Sequence, residues 1–94
     1  MHVRVEFTGQ LQTAIGQTND RVELAEGATV AMLLEQLGKC CGDEARPHLF
    51  SASGRVQPSL LVTINGTAFP SRQVAATVLR DGDTVLLLPP IAGG

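Results

Sequence analysis

At 94 residues the chain lies near the lower edge of ordinary domain sizes, so one compact domain is expected, burying about two thirds of its unfolded surface and leaving little room for an enclosed catalytic cavity. A formal net charge of -2, scattered arginines and the absence of Trp and Tyr argue against nucleic acid as a partner, which calls for basic residues on one face and aromatic platforms for bases. No apolar stretch reaches the roughly 20 residues needed to span a bilayer, and the N-terminus does not pair a basic patch with a long apolar run. No membrane contact is expected, and the location is expected to be cytoplasmic.

Val3, Val5 and Phe7 alternate with His2, Arg4 and Glu6, the period of a strand with one buried face. Val22 and Leu24 repeat the pattern after a polar connection containing Gly16 and Asn19-Asp20, so a hairpin with a long loop is predicted. Thr29 is placed to cap a helix whose apolar positions Val30, Leu33, Leu34, Leu37 and Cys41 recur at three- and four-residue intervals, with Gly42 or Gly38 ending it. The stretch from Asp43 to Pro58 is rich in turn formers, with a short helical turn over Glu44 to Phe50 and a surface loop at Ser51 to Gly54. Leu60 to Ile64 then reads as a strand, Asn65-Gly66 as a hairpin turn and Thr67 to Phe69 as the return. Behind the turn at Asp81-Gly82-Asp83, Thr84 to Leu88 is apolar enough for the centre of a sheet, and Pro89-Pro90 ends its pairing for want of amide protons. The order fits an α+β fold, a β-grasp sheet packed on one main helix, although other α+β sandwiches share it.

After Pro90 only Ile91, Ala92, Gly93 and Gly94 remain. With Gly near 7% of average composition, a chance Gly-Gly ending has a probability of roughly 0.5%. The prolines stiffen the exit, and at about 3 Å per residue the tail reaches roughly 15 Å, enough to enter another protein's active site. Glycine has no Cβ, so a narrow channel can close on the backbone of Gly93 and Gly94, with Ile91 and Ala92 threading behind them. A terminal α-carboxylate has a reference pKa of about 3.5; ionised, it can attack the α-phosphate of ATP, and a sulfur nucleophile can then displace the adenylate. Gly94 is therefore the candidate site of covalent attachment, in a chain that carries no catalytic group of its own nearby.

Three segments, Val62-Thr63-Ile64-Asn65-Gly66, Leu79-Arg80-Asp81-Gly82-Asp83-Thr84-Val85 and Leu88-Pro89-Pro90-Ile91-Ala92-Gly93-Gly94, together resemble the MoaD/ThiS ubiquitin-like sulfur carriers, most of all the small subunit of molybdopterin synthase. The resemblance runs essentially end to end and implies a β-grasp domain over residues 1–90 with an extended tail at 91–94. It also implies adenylation of Gly94 by a ubiquitin-activating-type adenylyltransferase that uses ATP. Thiocarboxylate formation would follow with sulfur from a cysteine desulfurase or rhodanese-like donor, and delivery would take place inside the molybdopterin synthase large subunit. No cofactor is expected to be bound. The segment Ser51 to Val56 and the chain length resemble the molybdopterin branch more than thiamine carriers. Sulfur delivery to thiamine, cysteine or tRNA, and isopeptide bonding as a protein modifier, stay open as alternatives.

For docking, Leu86 and Leu88 point to the face opposite Val85 and Leu87 and offer an apolar surface to partners, unless both faces are covered within the domain. Phe69, Arg80, Pro89 and Pro90 are further candidates. Cys40-Cys41 lacks the spaced ligand sets of zinc or iron-sulfur sites, so no metal is expected and a structural role is the simpler one. His2 and His48 lie far apart without triad partners. Asp81 and Asp83 read as turn and strand-entry residues rather than a catalytic pair.

Overall fold

The computed structural model describes residues 1–40 and 44–89. Its elements run β1 (His2–Phe7), α1 (Gly9–Ile15), β2 (Asn19–Glu23), α2 (Val30–Cys40), α3 (Arg46–Leu49), β3 (Leu61–Ile64), β4 (Thr67–Pro70), α4 (Ser71–Val74) and β5 (Thr84–Leu88). The five strands form one sheet in the order β2-β1-β5-β3-β4. β5 runs parallel to β1 and antiparallel to β3, so the most apolar strand occupies the middle, with a paired neighbour on each side. This is the ubiquitin-like β-grasp arrangement.

One buried cluster holds the molecule together. Val3, Val5 and Phe7 of β1, Val62 of β3 and Val85 and Leu87 of β5 share one sheet face, and Val30, Leu33, Leu34 and Leu37 of α2 join them in the core. The core face follows from the period-two patterns, and the helix stripe from the i, i+3, i+4 spacing. Thr29 caps α2: its hydroxyl accepts the Met32 N–H at 3.3 Å, supplying an acceptor to an otherwise unbonded first-turn amide.

The structure corrects the sequence reading at three places. The β1–β2 connection is not a plain loop, because α1 fills it and Leu11 of α1 is completely buried. Asn19 and Asp20 belong to β2 rather than to the connection. Gly38 does not stop α2; it is buried within the helix, where a Cβ would come within 3.2 Å of Arg46 Nη1 and 3.7 Å of the Phe50 ring. It thus allows α2 to pack closely on the α3 segment. Gly42 and Cys41 lie outside the described residues. Among the described residues, no helix is long and apolar enough to cross a membrane.

Candidate functional site

The two faces of the sheet differ sharply. The burial of β5 alternates, with Val85 and Leu87 buried and Leu86 and Leu88 half-buried on the other side. Registers extend that second face across the sheet: Glu6, Leu86, Thr63 and Ala68 form one row, and Leu88, Leu61 and Pro70 the next. Leu61 is 42% exposed. Leu61, Leu86 and Leu88 thus make an apolar strip on β3 and β5, at the end of the sheet from which the chain leaves toward the tail. A partly exposed apolar patch on an open sheet face is the kind of surface that docks on another protein.

The exit itself is held in place. β5 is paired on both edges, and the Thr8 hydroxyl donates to the Leu87 carbonyl at 3.0 Å. Thr8 is the N-cap residue of α1, yet its side chain makes no cap bond; its hydroxyl is turned to β5 instead. The start of α1 also approaches the exit: a Cβ on Gly9, whose φ is +54, would lie 3.8 Å from Pro89 Cγ. Pro89 is half-buried. Pro90, a docking candidate, and the residues predicted to thread and react, Ile91, Ala92, Gly93 and Gly94, lie outside the described residues.

At the opposite end of β5 the sequence motifs turn out to be joints. Asn65 and Gly66 have φ values of 51 and 87, the positive pair that a tight hairpin turn needs. Asn65 Nδ2 donates to Asp83 Oδ1 at 2.9 Å, and Asn65 Oδ1 accepts the Thr84 N–H at 2.9 Å. Asp83 Oδ2 accepts the Arg80 N–H, and Asp81 Oδ1 accepts the His2 N–H, each at 2.8 Å. The carboxylates therefore tie the β3–β4 turn, β1 and the entry of β5 together, which accounts for both Asp residues without catalysis.

Of the docking candidates, the structure brings Leu86 and Leu88 together near Pro89 but not Phe69 or Arg80. Phe69 stands opposite Val62 and packs half-buried against the core. Arg80 is exposed at the entry of β5, the end away from the tail. Leu61 is the residue that the sequence reading passed over: within Leu60 to Ile64 the strand period alone does not fix which leucine faces the core, and Leu60, just before β3, takes that place at 1% exposed. Cys40 is exposed, so a packing role does not describe it. Among the described residues, no group of three or more His, Cys, Asp or Glu is placed to hold a metal ion.

The model of the ThiS family matches residues 5–94, nearly the whole chain. The chain belongs to the ThiS family. Within reach of this ThiS chain, small archaeal modifier protein 3 of Haloferax volcanii is 31% identical over 94 residues, covering all of both chains. Small archaeal modifier protein 1 of the same organism superposes with a TM-score of 0.83 at 23% identity, over 96% of this chain and 98% of that one, a likeness of fold. A chain of the BexX/CysO complex of Amycolatopsis orientalis matches with a TM-score of 0.68 at 26% identity, covering 98% and 99%. The chain is thus a ubiquitin-like sulfur carrier or modifier of the β-grasp fold.

Proposed function

We propose that this chain carries sulfur on Gly94 as the small subunit of molybdopterin synthase. In this reading a ubiquitin-activating-type adenylyltransferase docks on the Leu61, Leu86 and Leu88 strip, and the tail enters its active site. The Gly94 carboxylate oxygen bonds to the α-phosphorus of ATP while pyrophosphate leaves. The terminal sulfur of a persulfide on a cysteine desulfurase or rhodanese-like donor then bonds to the Gly94 carbonyl carbon while AMP leaves, giving an acyl disulfide. A second thiol, as the two-electron reductant, bonds to the donor's cysteine sulfur and breaks the S–S bond, leaving a disulfide on the donor side and a thiocarboxylate on Gly94. The molybdopterin synthase large subunit receives the same tail and takes the sulfur. The observation that supports the reading is the apolar strip of exposed Leu61 and half-buried Leu86 and Leu88, at the end of a central strand whose sequence runs on to Gly93-Gly94.

The test is to incubate the chain with ATP, the activating enzyme and a sulfur donor and to weigh it. Exchange of one oxygen for sulfur at Gly94 is expected. A chain extended by one residue beyond Gly94 should show no exchange, since its activatable carboxylate has moved to another residue; equal exchange in both would count against Gly94. Rescue of a mutant lacking the molybdopterin synthase small subunit tests the destination.

A second reading, protein modification through Gly94, is favoured by the modifier name of the Haloferax volcanii relative. It predicts conjugates in cell extracts that vanish when Gly94 is deleted. Lys39, the sole lysine of the sequence, is exposed at the end of α2, so chains of this protein linked through lysine would have a single branch point.

A further inference from the structure

We infer that the open sheet face has a second, charged half: Arg4 and Arg21 form a seat for a carboxylate of the activating enzyme. The inference rests on the reading that Gly94 is activated, because activation is the step that carrier and modifier share. Arg4 and Arg21 are directly opposite each other in the antiparallel β1–β2 register, and both are exposed. Directly opposed residues place their Cβ atoms about 4.5 to 5.5 Å apart, and like charges there are unfavourable. Neither guanidinium is engaged by a hydrogen bond or ion pair among the described residues. Glu23 and Glu6 occupy neighbouring positions on the same face, yet no ion pair joins them to the arginines.

The pair lies in a shallow depression of about 320 Å³, lined by His2, Arg4, Asn19, Asp20 and Arg21, with the Asp81–Gly82 turn as its wall; the Asp20 carboxylate in that lining already accepts the Arg21 N–H at 2.8 Å. Asp81 is held by the His2 N–H, which fixes that wall. The depression lies on the same face as the apolar strip, since Glu6 stands beside Leu86 in register and two residues from Arg4. A small-molecule site encloses most of its ligand; an open seat on the same sheet face as an apolar strip suits a protein side chain instead. An Asp or Glu placed between two guanidiniums can accept from both in the fork geometry that arginine offers. It would also offset the repulsion that the free chain tolerates. The apolar strip then supplies contact area and the arginine pair supplies orientation, so that the tail enters the activating site in one register.

The predicted signature is opposite signs for stability and affinity. Arg21→Glu places a carboxylate opposite Arg4, so the unfolding midpoint of the variant should equal or exceed that of the wild type. The same change should raise the KM for the carrier in adenylation by the activating enzyme roughly tenfold or more, with the rate recovered at saturating carrier. Arg4→Gln with Arg21→Gln should raise KM by less and flatten its dependence on ionic strength, while Arg4→Lys with Arg21→Lys should retain part of the affinity. An unchanged KM for Arg21→Glu, with wild-type chain activated normally, would overturn the inference and leave the proposed function standing. No adenylation of wild-type chain at any concentration would instead overturn the reading of Gly94 and this inference with it. Thermal stabilisation of the wild type by millimolar ATP alone, lost in Arg21→Glu without a change in KM, would identify a nucleotide-phosphate site and refute the carboxylate seat.

Discussion

Asn65 shows how much a single residue can hold. Its backbone lies in the left-handed region at φ 51, and its amide bridges the Asp83 carboxylate and the Thr84 N–H. The Thr84 carbonyl in turn accepts the Asn65 N–H at 2.8 Å. Asn65→Ala removes two side-chain hydrogen bonds, each contributing about 0.5 to 1.5 kcal/mol, and places a Cβ-bearing residue without local side-chain bonding in a conformation that costs roughly 1 kcal/mol. Both bonds are exposed and count near the lower bound, so a loss of about 2 kcal/mol is expected, or roughly 8 to 16 °C in the unfolding midpoint for a domain of this size. Asn65→Gly should recover the backbone part alone and fall between wild type and Ala in a calorimetric melt. Asn65→Asp keeps an acceptor for Thr84 but loses the donor and sets a second carboxylate against Asp83, so it should be less stable at neutral pH than Asn65→Gly. If all three variants melt together with the wild type, the joint is not a stability element.

At the scale of elements, α1 is where the molecule departs most from its pattern. The stretch Gly9-Gln10-Leu11-Gln12-Thr13-Ala14-Ile15 carries a single i, i+4 apolar pair, no acid in the first turn and no base in the last. Nothing in it separates a helix from a polar connection, because its helical state is decided by Leu11 entering a core built by other elements. The strands were legible for the opposite reason: Val3, Val5 and Phe7 obey a period that the sheet imposes on every residue, and Thr84 to Leu88 is the near-continuous apolar run of a central strand. Asn65-Gly66 was legible because few residues accept positive φ. The apolar half of the site was half legible, since alternation assigns Leu86 and Leu88 to one face but cannot tell that β3 sets Leu61 beside them. The arginine pair was invisible, as it depends on β1–β2 register. If Leu11 does anchor α1, Leu11→Ala should cost about 2 to 5 kcal/mol through a cavity that the small helix cannot close. Amide exchange should then accelerate across 9–16 first and spread to β5 through the Thr8 contact with Leu87. Uniform acceleration would mean that α1 opens only with the whole domain.

For the molecule as a whole, the division of labour between folding and chemistry makes a sharper claim. Among the described residues, the side chains of the buried cluster run from Val3 to Leu87, and the strand that leads to the tail is fixed by pairing on both edges. Deleting residues 91–94 should therefore leave the unfolding midpoint within about 2 °C of the full chain, the range of a substitution that removes no buried contact, while abolishing mass exchange by the activating enzyme. A surface change on the open face should divide the properties differently. Leu61 is 42% exposed, so Leu61→Asp loses only part of the burial of one leucine and should cost less than about 1.5 kcal/mol. Placed in the strip, however, the new carboxylate meets an interface that must exclude water from Leu86 and Leu88, where an unpaired buried charge is unfavourable by several kcal/mol. The carrier should remain folded with Gly93-Gly94 intact yet require at least tenfold higher concentration for half-maximal adenylation. The tail deletion, by contrast, should still compete with the full chain for the activating enzyme, because its docking face is unaltered. Competition by the deletion and its loss on adding Leu61→Asp would together assign recognition to the sheet and chemistry to the terminus. Failure of the deletion to compete would place recognition in the tail and remove the role given to the strip.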